Sequence, residues 1–174
     1  YGMDLAAETE QVFGAPPLVF KTALDGETDG AINFWHFMAK MEAAGMRQLI
    51  TVSEAALALG LDPETPLLGY VFKGEMLRDH PEILEGFAAS SRAAKAKLAT
   101  DDEAWARLRD RMNAKNDGQF TALVAGYRAG IPGEGAVNEE AAAKMLSLMA
   151  ELGGEELIGK ATTLPEGVFV QPGS

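Results

Sequence analysis

The chain has 174 residues, no cysteine and a formal net charge of −11. The lack of cysteine excludes disulfides, thiolate metal ligands and a cysteine nucleophile. The acidic balance argues against partners that present phosphate, such as nucleic acid or an anionic lipid surface. The composition, with 47% hydrophobic and 24% charged residues, is typical of a globular protein, and no apolar run approaches the roughly 18 residues of a transmembrane helix.

The first 52 residues predict alternating strands and helices. Three short apolar segments between turn residues predict strands at residues 10–13, 30–33 and 48–51. Between them, Pro16 predicts the start of one helix, and Gly26 and Gly45 predict the ends of two. Strands and helices that alternate with short connections are typical of parallel βαβ units. The predicted fold class is therefore α/β.

The rest of the chain is predicted to be mainly helical. An apolar segment at residues 66–72 predicts a further strand, and Pro81 predicts a helix start. Apolar stripes at helical spacing then continue to residue 152, where Gly153-Gly154 is predicted to end the last helix, and residues 166–174 are predicted to add one short strand. The predicted core residues of this portion are Leu108, Leu123, Met145 and Leu146. Short polar side chains before these stripes are predicted as N-caps, namely Ser53, Thr100, Asp117 and Asn138.

Recognised catalytic and metal-binding motifs are missing from the sequence. It contains no G-x-S-x-G, H-E-x-x-H, Walker or G-x-G-x-x-G pattern. His36 and His80 have no second ligand at metal-binding spacing, and the acidic pairs fall where helix starts are predicted. We therefore predict no catalytic residue, no metal, no cofactor and no enzymatic activity.

One segment concentrates the rare side chains of the chain. Asn33, Phe34, Trp35 and His36 follow the second predicted strand, although the chain has only two tryptophans and two histidines. In a parallel α/β sheet, ligands bind beyond the carboxyl ends of strands, where helix N-termini also point. Tryptophan offers a flat face and one donor, while asparagine and histidine both donate and accept. We predict Trp35 and His36 as ligand-binding residues, with Asn33 in second place; the alternative is that these rings only pack the sheet against its helices.

Two stretches carry a resemblance to a known family. "ALDGETDGAINFWHFMAKMEAAGMRQLI" and "PLLGYVFKGEMLRDHPEILEGFAAS" resemble the periplasmic substrate-binding proteins of nitrate-, sulfonate- and taurine-type ABC transporters, whose superfamily includes binders of thiamine pyrimidine precursors. His36-Phe37 stands where that family more commonly has Glu-Pro. The residues that match are Gly26, Glu27, Asp29, Gly30, Ala31 and Trp35 in the first stretch, and Val71, Phe72, Met76, Leu77, His80, Pro81, Glu82 and Phe87 in the second.

The resemblance implies part of a two-lobed, type II periplasmic-binding-protein fold with ligand in the cleft between lobes. Residues 1–65 would be the later part of the second lobe (βαβαβ), residues 66–75 the crossover or hinge segment, and residues 76–174 the C-terminal helical part of the first lobe. It implies a solute-binding component that takes a sulfonate, a nitrate-like anion or a pyrimidine or aromatic precursor and delivers it to a membrane permease. The expected location is the periplasm, or the extracytoplasmic face through a lipid anchor. This chain would be a C-terminal fragment, and its expected partners are the solute, the permease and the missing N-terminal half of the same protein, with no nucleic acid.

Three alternatives remain open at this point. The first is an enzyme of thiamine-pyrimidine-synthase type on the same fold, in which His36 would take part in chemistry. The second is the effector domain of a transcription regulator, which shares the two-lobed architecture. The third is a helical interaction module formed by residues 101–152.

Overall fold

The structure is a computed structural model that describes residues 3–133 and 135–170. Within those residues, the regular elements are all helices. They are α1 (Leu5–Glu8), α2 (Pro16–Leu24), α3 (Trp35–Ala43), α4 (Val52–Ala58), α5 (Gly74–Asp79), α6 (Pro81–Thr100), α7 (Asp102–Leu108), a 3₁₀ turn (Arg109–Arg111), α8 (Asp117–Ala129) and α9 (Glu139–Ile158).

The predicted α/β fold class is wrong. The part of the chain that the structure describes has no strand, so the parallel βαβ units and the type II periplasmic-binding fold built on them are absent from it. The four segments predicted as strands connect helices instead, and Ile32 and Val71 within them are 97% and 96% exposed. A strand requires a neighbour about 4.8 Å away to complete its ladder. The apolar pattern of a short segment does not supply that neighbour.

Most predicted helix ends are confirmed, because these signals are local. α2 begins at Pro16, and Gly26 beyond its end has a φ of +73°. Gly45 and Gly60, beyond α3 and α4, have φ values of +93° and +69°, which residues with a side chain rarely adopt. Asn138 caps α9, since its Oδ1 accepts the Ala141 N–H at 3.1 Å.

Two of the predicted caps are displaced by one or two residues. Thr51, not Ser53, caps α4: its Oγ1 accepts the Glu54 N–H at 3.0 Å, while the Glu54 carboxylate accepts the Thr51 N–H at 2.7 Å. This reciprocal pair is a capping box. Asn116 rather than Asp117 caps α8. In both cases the neighbouring polar residue lies inside the first turn.

Two predicted boundaries fall inside helices. Thr100 is the last residue of α6, and α7 starts two residues later. Gly154, predicted to end α9, instead kinks it, with φ +58° and ψ −158°. The helix resumes beyond this kink and reaches Ile158. A short strand predicted in the tail is not formed as far as residue 170, and residues 171–174 lie outside the described part.

The chain divides into two compact units. Unit 1 comprises the described residues within Tyr1–Gln48 and Asp102–Gly130, and unit 2 comprises those within Leu49–Asp101 and Ile131–Ser174. In unit 1, α3 packs against α8 and α2. The buried apolar side chains of unit 1 are Ala23, Ala39, Met41, Ala104, Trp105, Leu123 and Val124. The core prediction is confirmed for Leu123, while Leu108 is only half-buried.

Unit 2 has a smaller core. Its buried apolar side chains are Ala56, Leu61 and Ala142, and the predicted core residues Met145 and Leu146 are half-buried. α5 packs against α6, and Lys144 of α9 donates to the carbonyl of Gly60 at the end of α4. The domain boundaries at residues 65 and 75 stay a prediction.

Candidate ligand-binding site

Asn33 fixes the entry into α3. Its Nδ2 donates to the Pro16 carbonyl at 2.9 Å, and its Oδ1 accepts the Phe34 N–H at 2.9 Å. Phe34 is the N-cap residue, with extended backbone at φ −66° and ψ 153°. The Asn33 amide therefore ties the start of α2 to the start of α3. The Asn33 side chain thus positions α3, whereas the sequence predicted that it would contact ligand.

Trp35 packs one part of its indole against α8 and leaves the rest open. Its ring centroid lies 6.3 Å from that of Tyr127, with 64° between the planes. A Cβ built on Gly126 would stand only 3.2 Å from Trp35 Cε3. Tyr127 in turn contacts Trp105 edge-on at 5.1 Å. Since Trp35 is still 49% exposed, the same ring can serve both packing and contact with a solute.

His36 lies among aromatic rings. Its ring centroid is 6.0 Å from that of Phe34, nearly parallel, and 4.5 Å from that of Phe37. Burial lowers the pKa of His36 from its ordinary 6.5, and the positive charge of Lys40 lowers it further. Near neutral pH the imidazole is uncharged, with one nitrogen that donates and one that accepts.

These side chains form one connected group, which we call the ring cluster. Successive ring contacts of 4.5–6.3 Å join α2, α3, α7 and α8 of unit 1. Phe34 adds a further ring that is 62% exposed. The members of the ring cluster are Phe20, Phe34, Trp35, His36, Phe37, Trp105 and Tyr127.

The structure thus brings the three predicted site residues together, and it adds residues that the sequence prediction missed. Tyr127 and Gly126 come from α8, about ninety positions along the chain from Trp35. One signal for them was present: a glycine inside a helical pattern often marks a close approach of another element. The ring cluster as a whole offers apolar ring faces, an indole donor and a neutral imidazole. This arrangement can stack and hydrogen-bond a small planar molecule.

Other kinds of site find little support in the described residues. Over residues 3–133 and 135–170, no three of His, Asp or Glu come close enough to hold a metal ion. Every helix in that part is too short or too polar to cross a bilayer. A shallow cavity of about 210 Å³ lies at the kink of α9, in unit 2, and includes no predicted site residue. Its lining residues are Ala150, Gly154, Glu155, Ile158, Gly159, Lys160 and Thr162.

No protein-family model matches this chain, and no curated protein matches it either.

Proposed function

We propose that the chain is the solute-binding component of an ABC importer and that the open side of the ring cluster receives one small solute. The observation that carries the proposal is the half-exposed indole of Trp35 beside the neutral imidazole of His36. The resemblance of residues 23–50 and 66–90 to periplasmic substrate-binding proteins supports the same function. The proposed location is extracytoplasmic, and the proposed partner is a membrane permease.

The chemistry of the ring cluster favours a planar heteroaromatic solute, such as a pyrimidine, over a compact anion. Stacking on a ring contributes about 1–3 kcal/mol per base in nucleic-acid complexes and needs no charge. A sulfonate or nitrate-like anion needs several converging donors or a cation. Lys40, the cation that acts on His36, donates its Nζ to the Asn113 carbonyl at 3.1 Å. The imidazole and the indole N–H then supply the polar contacts that orient the solute.

The remaining wall of the site is proposed to come from an N-terminal half of the same protein. The apolar side chains exposed in the connecting segments support this, since Ile32 precedes the ring cluster by two residues and is almost fully exposed. Phe34, two residues later, is 62% exposed as well. Exposed apolar patches mark sites of contact with protein or ligand. A covering polypeptide would also remove water from the outer face of Trp35.

Isothermal titration of the chain with a pyrimidine, a sulfonate and nitrate tests the proposal. Trp35→Ala should weaken binding by about 1–3 kcal/mol, and Trp35→Phe should weaken it less because a ring remains. Phe13→Ala is the matched control, because Phe13 is an exposed aromatic residue outside the ring cluster. Far-UV circular dichroism establishes that each variant is folded. A folded Trp35→Ala chain with unchanged affinity would sink the site, and no binding of any of the three probes would sink the function.

A further inference from the structure

α6 is a long helix that buries no residue. It spans 20 residues (Pro81–Thr100) and is therefore about 30 Å long. One side of it is partly covered by the segment before α5. The ring of Tyr70 lies 4.7 Å from that of Phe87, its hydroxyl is 3.1 Å from Ser91 Oγ, and Lys95 Nζ donates to the same oxygen at 3.0 Å. Phe87 remains 49% exposed beside these contacts, at the margin of an adjoining edge of the helix that is open.

The open edge carries an apolar stripe. Ile83, Phe87, Ser90 and Ala94 follow one another at spacings of four, three and four residues, which places them on one face of a helix. All four are exposed, including the large side chains of Ile83 and Phe87. Helices in proteins gain most of their stability by covering such a stripe. We call these four residues the α6 stripe.

The charges of α6 are segregated along its length. Glu82 and Glu85 lie in the first half, while Arg92, Lys95 and Lys97 lie in the second. Such a helix is complementary to a second copy of itself that runs in the opposite direction. In a parallel pair the like charges would stand opposite each other, which is destabilising. The occupant that fits the α6 stripe is therefore another molecule of this chain.

We propose that two copies of the chain associate through antiparallel α6 helices related by a twofold axis near Ser90. In this arrangement the α6 stripes pack on each other, with Phe87 opposite Ala94 of the partner subunit. Glu82 and Lys97 lie on the same flank of the stripe, so Glu82 of each copy faces Lys97 of the partner subunit. The interface is isologous and closes at two copies.

A charge-swap cycle tests the contact between copies. Within each chain Glu82 lies 3.8 Å from His80 and Lys97 lies 3.4 Å from Asp101, so the double variant is the decisive arm. Glu82 and Lys97 are 15 positions apart, about 22 Å along the helix, and cannot meet within one chain. Sedimentation equilibrium should show a dimer that Glu82→Lys and Lys97→Glu each weaken on the order of tenfold, since two symmetric ion pairs become two repulsions. The double variant should restore the wild-type dimer. Glu85→Lys is the matched control, because it changes the charge equally but lies on the side of α6 away from the stripe.

A second measurement uses the absence of cysteine from the chain. Ser90→Cys places a single thiol beside the twofold axis, and mild oxidation should link two copies. Ala96→Cys, on the far side of α6, should not be linked under the same conditions. This result does not depend on the folding of the charge variants, whose helicity is followed by circular dichroism.

The sedimentation and cross-linking results either support or overturn the proposed dimer. A dimer that the single swaps weaken and the double swap restores, together with a Ser90→Cys link, supports the proposal. A chain that is monomeric from micromolar to sub-millimolar concentration overturns it. A dimer that is indifferent to Glu82→Lys, a double variant that is not restored, or equal linking at residues 90 and 96 also overturns it.

Discussion

Gly→Ala substitutions at Gly86 in α6 and Gly126 in α8 test the packing of Trp35. Both should gain helix propensity, but only the substitution at Gly126 adds a methyl group against the indole. Both lie inside helices without a positive φ, and glycine-to-alanine exchange in an exposed helix interior gains about 0.8–1.0 kcal/mol. At Gly86 an added Cβ meets nothing within 4 Å. Gly86→Ala should therefore raise the free energy of unfolding by about that whole amount.

At Gly126 the same methyl group meets the indole. The added Cβ would lie 3.2 Å from Cε3 and 3.4 Å from Cζ3 of Trp35, and 3.8 Å from the Cβ of Ala39. Carbon atoms are most stable about 3.5–4.0 Å apart, so the indole must shift by a few tenths of an ångström. Overpacking of this kind costs about 1–3 kcal/mol. The free energy of unfolding of Gly126→Ala should therefore be about 1–3 kcal/mol lower than that of Gly86→Ala, which is near or below the wild-type value.

Urea unfolding of both variants measures the comparison, at a protein concentration low enough to avoid any contribution from self-association. The chain has two tryptophans, so a Trp105→Phe background makes Trp35 the reporter of local change. Its emission should change on Gly126→Ala and stay constant on Gly86→Ala. Equal stabilisation by the two variants, with unchanged Trp35 emission, would refute the packing of Trp35 against α8.

Three further predictions concern single side chains. Met41 is 1% exposed, so Met41→Ala should lower the free energy of unfolding by about 2–5 kcal/mol, whereas the partly exposed Met149→Ala should change it little; similar urea midpoints for the two variants would contradict this. The folded state lowers the pKa of His36, so the unfolded chain binds the proton first as the pH falls below 6.5, and the free energy of unfolding should decline there. Thermal melts across that range should show a smaller decline in His36→Gln than in the wild type. Parallel curves for the two proteins would contradict a lowered pKa of His36. Thr51→Ala removes the capping box of α4 and should cost about 0.5–2 kcal/mol, while Ser53→Ala should have a smaller effect; hydrogen exchange of the α4 amides measures both, and equal effects would restore Ser53 as the cap.

The helices were predictable to the extent that their signals are local. Pro16, Gly26, Gly45 and Asn138 each act on backbone groups a few residues away, so a single sequence contains the whole cause. The strands failed because pairing in a sheet is decided by distant segments. Residues 30–33 have the apolar pattern of a buried strand, yet the described chain brings no strand to pair with them. A strand therefore needs both an apolar pattern and a neighbouring strand to pair with.

The candidate site also combines features that the sequence predicted with features that only the structure shows. The sequence singled out Asn33, Trp35 and His36 because such residues are rare and stand close together. The structure places Trp35 and His36 in the ring cluster and Asn33 beside it, bonded to Pro16. The contribution of Tyr127 depends on the packing of α3 against α8. Gly126 signals a close approach, but the sequence does not say which element approaches. The role of Asn33 was also beyond the sequence, because its partner is the carbonyl of Pro16. The hydrogen bonds of the Asn33 amide show that it positions the start of α3, which distinguishes it from the rings beside it.

The kink at Gly154 has a consequence for motion within α9. Its φ of +58° and ψ of −158° belong to a region that is essentially restricted to glycine, and it interrupts the ladder of helical hydrogen bonds. Amides before the kink share a cooperative stretch of almost four turns, whereas the single turn at residues 155–158 can open without them. Opening free energies should therefore step down sharply at this point. We expect the amides of the last turn of α9 to exchange faster than those of the helix before the kink.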